Sequence, residues 1–292
     1  MLNITRLMKK VVPAMPLWSN YLQSPPGRPS LKLPGNGVAT SSSSVPAVHA
    51  GERAIVYFPA CISRTMGTYQ GQKRNLMETF MSICKKAGVR VSMLDNAMGS
   101  CCGQIFSSKG FKEAHRHTAN SIVDKLWASS KEGSLPIVVD VSSCAYTLHQ
   151  IRPALDEVRR KKYDALKIMD SVEFLHEMVV PYIEVKRKEK SIVLHPVCSL
   201  KKMKTENQFL QIASHFAKEV TIPKNAGCCG MAGDRGFLFP ELTASATASE
   251  AAEVRAVAYD GYYSTTKTCE LAMSESVQQN YESILYLVDE AV

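Results

Sequence analysis

A chain of 292 residues with 45% apolar side chains is long enough to bury one large core or two medium ones, which places it among globular proteins. Its net charge of +8 does not point to nucleic acid, because Arg6, Lys9, Lys10, Arg28 and Lys32 stand in an acid-free stretch, residues 1–51, and leave +3 for the body. No run of about 18 apolar residues is present to span a bilayer, and nine cysteines gathered in short motifs point to thiolate chemistry in a reducing compartment rather than to disulfide staples.

Residues 1–53 read as a basic linker or tail. The stretch "SPPGRPSLKLPGNGVATSSSSVPAV" is too rich in Pro, Gly and Ser to bury the apolar surface that would offset its ordering entropy. Its acid-poor composition also fits a mitochondrial transit peptide, but the prolines of "VVPAMPLW" interrupt any amphipathic helix there. The cytoplasm is therefore the preferred location over the mitochondrial matrix.

From residue 54 short β-branched runs alternate with helical periodicity. "AIVYFPA" (54–60) predicts a buried strand, and "GQKRNLMETFMSICKKAG" a helix with Leu76, Phe80, Ile83 and Cys84 on one face. The strand "VRVSMLD", a helix near 110–129 and the strand "PIVVDVS" follow. The basic runs Arg159–Lys162 and Lys186–Lys190 lack interleaved aromatics and read as solvated faces or linker. This punctuation predicts an α/β fold, a parallel sheet with helices on both faces.

The grammar then repeats. "SIVLHPVCS" (191–199) has the shape of "AIVYFPACIS" (54–63), which pairs Cys198 with Cys61. Cys228-Cys229-Gly230 pairs with Cys101-Cys102-Gly103, and Cys269 in "STTKTCEL" with Cys144 in "VSSCAYTL". Three landmarks in one order at offsets of 137, 127 and 125 predict an internal duplication, with a first repeat over 54–190 and a second over 191–292. Cys84 alone falls outside it and reads as a small buried hydrophobe.

Each of these cysteines follows an expected strand end, and the carboxyl ends of parallel strands share the edge where ligands bind. Four sulfurs per repeat are therefore expected to converge. Adjacent cysteines can serve one site on a turn, where Gly103 or Gly230 lets the backbone fold tightly and brings N–H groups near sulfur. Soft thiolates in fours select iron-sulfur or zinc.

The order Cys, then Cys-Cys-Gly, then a final cysteine motif resembles the cysteine-rich CCG domain that occurs in tandem in the heterodisulfide reductases and in related respiratory dehydrogenases. The resemblance covers residues 54–292. More narrowly, "CCGQIFSSKG", "CCGMAGDRGFLFPEL" and "GYYSTTKTCELAMS" are similar to the C-terminal region of large FAD-linked, iron-sulfur-containing D-lactate dehydrogenases, and "PAMPLW" to the linker ahead of it. The resemblance implies two duplicated CCG-type halves and one or two [4Fe-4S] clusters held by Cys61, Cys101, Cys102, Cys144, Cys198, Cys228, Cys229 and Cys269. It departs at the family's final Cys-x-x-Cys, whose first position is Val141 in one repeat and Thr266 in the other. The family holds a non-cubane centre with five cysteines; four still suffice for a cubane cluster, or for zinc in one repeat.

No ferredoxin-type cysteine run and no evident flavin-binding region occur in the sequence. The expected role is an iron-sulfur electron-transfer component or fragment of a D-2-hydroxyacid oxidoreductase, inactive alone and dependent on an FAD-containing domain or subunit. A ferredoxin-type iron-sulfur protein is a further expected partner, and any peripheral membrane contact would come through that complex. The alternatives are a non-redox zinc assembly module and, less favoured because adjacent-residue disulfides are strained, a vicinal-dithiol redox protein. Among weaker candidates, His195 can be a ligand or proton carrier, but its counterpart Phe58 favours a structural role. Asp234 and Arg235 read as a turn salt bridge ahead of a carboxylate site, and the glycine-rich turns lack the Lys and Ser/Thr of a phosphate loop. "YDGYYS" and the Ala-rich "ELTASATASEAAEVRAV" read as packing elements.

Overall fold

The structure, a computed structural model, describes residues 31–32, 53–66, 68–69, 72, 74–185 and 188–292. The expected tail over 1–53, with its linker and targeting readings, lies outside the described residues apart from Leu31–Lys32 and Arg53. Leu31–Lys32 pairs antiparallel with Thr68–Tyr69.

The first half is built from β1 (Ala54–Phe58), α1 (Cys61–Thr65), α2 (Leu76–Lys86), β2 (Arg90–Met93), α3 (Gln104–Ser108), α4 (Lys112–Ser129), β3 (Ile137–Val139), α5 (Ser142–His149), α6 (Glu157–Asp164), β4 (Ile168–Asp170) and α7 (Ser171–Phe174). The second contains β5 (Glu189–Leu194), α8 (Cys198–Met203), α9 (Glu206–Phe216), β6 (Ala217–Thr221), α10 (Arg235–Leu238), α11 (Pro240–Arg255), β7 (Gly261–Ser264), α12 (Lys267–Val277), β8 (Glu282–Ser283) and α13 (Ile284–Ala291). The sheets have the orders β2-β1-β3-β4 and β6-β5-β7-β8, and every neighbour within them is parallel. Both halves therefore follow one strand order, second-first-third-fourth. The expected α/β fold of two duplicated halves, each a small parallel sheet flanked by helices, is the fold observed.

Local chemistry accounts for the elements. Asn75 caps α2 in a reciprocal box with Glu78, at 2.9 Å in each direction, and the helix buries Leu76, Met77, Phe80, Ile83 and Cys84. Cys84 lies on that apolar face, and burial pushes its thiol up, as suits a structural side chain. The basic run at Arg159 belongs to α6, where Arg159 and Lys162 both close on Asp124 at 2.7 Å.

Side-chain alternation along the strands sorts the cores. Ile55 and Tyr57 of β1 and Ile192 and Leu194 of β5 enter one cluster shared by both halves, with Phe80, Phe174, Phe209, Phe216 and Leu285. Val56 and Phe58 turn the other way, onto α4 of the first half, while Val193 meets Ala251 and Val254 of α11. Reciprocal helix contacts, α2 with α13 and α9 with α7 and the turn after it, close the shared core from both sides.

Candidate functional site

In each sheet the first strand sends the chain outward to the second and then across to the third, so the order reverses between the first and third strands. That switch point opens a crevice at the strand carboxyl ends. Cys61 begins α1 directly after β1, and Cys144 lies in the first turn of α5 after β3. Cys198 and Cys269 take the same places on α8 and α12. The Cys-Cys-Gly turns arrive from the loops after β2 and β6.

In the first set Cys61 and Cys101 have their sulfurs 4.0 Å apart, and Cys102 is pushed up by the neighbouring Cys101 and Cys144 thiols and by burial. Gly103, at φ +84, donates its N–H to Cys101 Sγ at 3.4 Å. Hydrogen bonds from Cys102 and Cys61 pull Cys101 well down, with the Gly103 amide and the Arg64 guanidinium assisting against burial. Cys102 and Cys61 are pushed up by the same bonds. One thiolate thus sits between two neighbouring thiols, Cys61 and Cys102.

The second set is more open and more ionised. Cys198 and Cys228 are exposed, whereas Cys229 and Cys269 are buried with their sulfurs 2.8 Å apart. The Cys198 thiol and the Gly230 amide bring Cys228 to about 6 against burial. Cys269, His195 and the Met231 amide bring Cys229 to about 5. His195 is fully buried, with Nδ1 2.7 Å from Glu250 Oε1. Burial lowers it, but Cys229 and Glu250 outweigh that and raise it to about 9.

The first set lies at the junction of the halves. A cavity of about 140 Å³ is lined by Cys61, Cys101, Cys102 and Cys144 and by Asp234 and Thr266 of the second half. The helices carrying Cys144 and Cys198 pack on one another. Ser142 N–H donates to Thr265 O at 3.1 Å and Ser143 N–H to Thr266 Oγ1 at 3.4 Å, so Val141 and Thr266, where the family motif would place cysteines, cap helices at this seam. Lys109, after the first triplet, pairs with Asp234, after the second, at 2.6 Å. The ion pair expected within the Asp234–Arg235 turn is instead a tie between the triplet loops, because the halves face each other and bring 125 residues of separation to contact; Arg235 opens α10.

Among the described residues, no three Cys, His, Asp or Glu side chains already surround one point as a closed metal site does. Thiol-to-thiol hydrogen bonds draw the sulfurs together in pairs instead. Sequence reasoning passed over the basic residue three places after the first cysteine of each repeat, although "CISR" and "CSLK" both display it. Arg64 Nη2 donates to Ser100 O at 2.6 Å and Lys201 Nζ to Ala226 O at 3.1 Å, so each holds the backbone just ahead of its triplet.

It also passed over Asp140. This buried carboxylate accepts from Ala60 N–H at 2.8 Å and Tyr57 O–H at 2.7 Å, fixing the turn that presents Cys61. Burial raises it to about 6 against the pull of those hydrogen bonds. The folded protein therefore holds this proton more tightly than the unfolded chain, and the resulting stabilisation is complete below pH ~4 and lost as pH rises through ~6. At about 1.4 kcal/mol per unit the contribution is about 3 kcal/mol. Urea titrations of Asp140→Asn between pH 4 and 7 should show a profile flatter by that amount, while Asp170, also raised to about 6 by burial, keeps its share in both proteins. An unchanged slope would show that Asp140 is not the titrating group.

The cysteine-rich domain (CCG) family matches the chain twice, over residues 55–149 and 192–274, together about three-fifths of its length. No curated protein matches it. The two matched stretches run from the first strand of each half to the helix bearing its last cysteine, Cys144 or Cys269. By this double match and by its duplicated sheets, the chain belongs to the cysteine-rich domain family, with the domain present twice.

Proposed function

We propose that the chain is the iron-sulfur electron-transfer component of a D-2-hydroxyacid oxidoreductase such as a D-lactate dehydrogenase, receiving electrons from an FAD-bearing domain or subunit. The observation that carries this reading is the gathering of eight duplicated thiols into two sets, one at the carboxyl edge of each sheet. Nothing among them is arranged to take a hydride from an alcohol carbon, which requires an organic acceptor.

The donor set fits a thiolate-bound group. Around zinc, with bonds of about 2.3 Å, two sulfurs stand about 3.8 Å apart, close to the 4.0 Å between Cys61 and Cys101. Cys229 and Cys269, at 2.8 Å, would have to open by about 1 Å once the proton between them has left. Bound there, an iron-sulfur cluster supplies one-electron storage. The second set is the better candidate, because two of its thiols, Cys228 and Cys229, are lowered, against Cys101 alone in the first. Exposed Cys198 and Cys228 leave that set reachable by a docked partner, while their counterparts Cys61 and Cys101 are only partly exposed. A ferredoxin-type protein would serve as a further partner. No helix among the described residues is long and apolar enough to cross a membrane, and residence in the cytoplasm is part of the proposal.

The second reading is a structural zinc module, favoured specifically by the Cys61–Cys101 separation. Anaerobic reconstitution with iron and sulfide, followed by iron and zinc analysis and a visible spectrum, separates the two. A brown protein holding iron is expected. A colourless one with stoichiometric zinc would leave only the zinc module.

A further inference from the structure

We infer that His195 is a metal ligand, a fifth donor that the second thiol set possesses and the first lacks. The inference rests on the proposed metal-binding role and assigns to it a residue that the cysteine pattern does not contain.

His195 stands at the carboxyl end of β5, three residues before Cys198, where its backbone N–H bonds Tyr263 O at 2.9 Å. Its ring is fully buried, and the two ring nitrogens have different surroundings. Nδ1 is bound to Glu250 at 2.7 Å, whereas Nε2 completes no hydrogen bond. The Cys229 thiol acts on the ring besides Glu250, and Tyr281 stands edge-on to it with ring centroids 6.5 Å apart. Glu250 is itself fixed, accepting Gly227 N–H at 3.2 Å just ahead of the triplet. A carboxylate on one imidazole nitrogen orients the ring and leaves the other nitrogen's lone pair for a metal, and metal-bound histidines nearly always carry such a partner.

A purely structural role fits less well. It would leave Nε2 buried without a hydrogen bond of ordinary geometry, the Cys229 sulfur being the group that acts on the ring besides Glu250. The first half shows that the fold does not require the pair, because Phe58 replaces His195 there. Val123, 20 residues after Gly103 as Glu250 is after Gly230, holds the corresponding position in the sequence, on α4. Both are fully buried in the first half's own core. Duplicated halves with the same strand order thus differ at two corresponding sequence positions, apolar residues in one and the His195–Glu250 pair in the other. Replacing a buried ion pair by apolar residues is often neutral or stabilising, so fold stability alone does not account for His195 and Glu250. A metal centre beside Cys229 accounts for both.

The test uses the full chain, reconstituted anaerobically with iron and sulfide, reduced with dithionite, and prepared with 14N- or 15N-histidine. Pulsed EPR should detect a directly bonded histidine nitrogen whose coupling scales with the isotope and disappears in His195→Phe. Glu250→Gln should retain the coupling but weaken metal binding at this set by about 10–100-fold. A cluster that forms with no histidine coupling, or with only the weak coupling of a hydrogen-bonded ring, overturns the inference and leaves the electron-transfer reading standing. A protein that takes only zinc overturns the iron-sulfur reading instead; the nitrogen experiment is then run on the cobalt-substituted protein with the same two outcomes. A protein that binds no metal overturns both.

Discussion

Given D-lactate and a redox dye, the isolated protein should reduce no dye, and turnover should begin when the FAD-bearing partner is added. Cys228→Ser should then lower the coupled rate by more than the roughly 100-fold that loss of an outer-shell partner can cost a metal site, while flavin reduction by D-lactate continues at its full rate. The size of the effect follows from position. Cys228 is exposed and lowered to about 6 by the Cys198 thiol and the Gly230 amide, next in sequence to buried Cys229. Serine keeps the shape and removes the soft donor. Dye reduction by the lone chain, or a coupled rate untouched by Cys228→Ser, would be incompatible with the proposed role.

The second large effect concerns the two triplet glycines, which are equivalent in sequence and unequal in space. Both have positive φ, +84 at Gly103 and +75 at Gly230. A Cβ on Gly103 would meet only the His115 and Thr118 side chains at 3.3 Å, whereas one on Gly230 would stand 2.8 Å from Leu242 O and 3.0 Å from Ala246 Cβ. Gly103→Ala should therefore cost the backbone strain alone, about 1–2 kcal/mol. Gly230→Ala adds an overpacking penalty of about 1–3 kcal/mol and pushes α11, with Glu250, away from the second thiol set. Urea unfolding should rank Gly230→Ala as the more damaging, with metal content falling in that variant first. Equal losses would mean that α11 yields freely at this contact.

Residues that carry their information locally were legible in the sequence. The apolar runs Ala54–Phe58 and Ile137–Val139, the amphipathic α2 and the Ala-rich α11 announce themselves by composition and period. The duplicated cysteines identified the strand ends and the edge where they collect. The fourth strand of each sheet did not show, because Ile168–Asp170 and Glu282–Ser283 are too short to display a period and take their conformation from one neighbouring strand. Pairings that arise only from folding were equally hidden. Glu250 reads as one polar residue on a packing helix until the fold sets it against a histidine 55 positions away. Asp234 reads as a turn residue until Lys109 arrives from the other half.

The core shared by the two sheets has a consequence for how the repeats can change. Phe80 and Phe174 from one half and Phe209, Phe216 and Leu285 from the other form a single apolar mass, so each half stands to its twin as one protomer of an obligate dimer stands to the other. Gene duplication ordinarily frees one copy to be lost, but here the loss of either would strip the survivor of half its interior. Each half depends on that common interior, which also takes in Cys229 and Cys269, and divergence is left to positions outside it. Phe58 and Val123 against His195 and Glu250 are divergence of that kind, a division of labour between twins that cannot part.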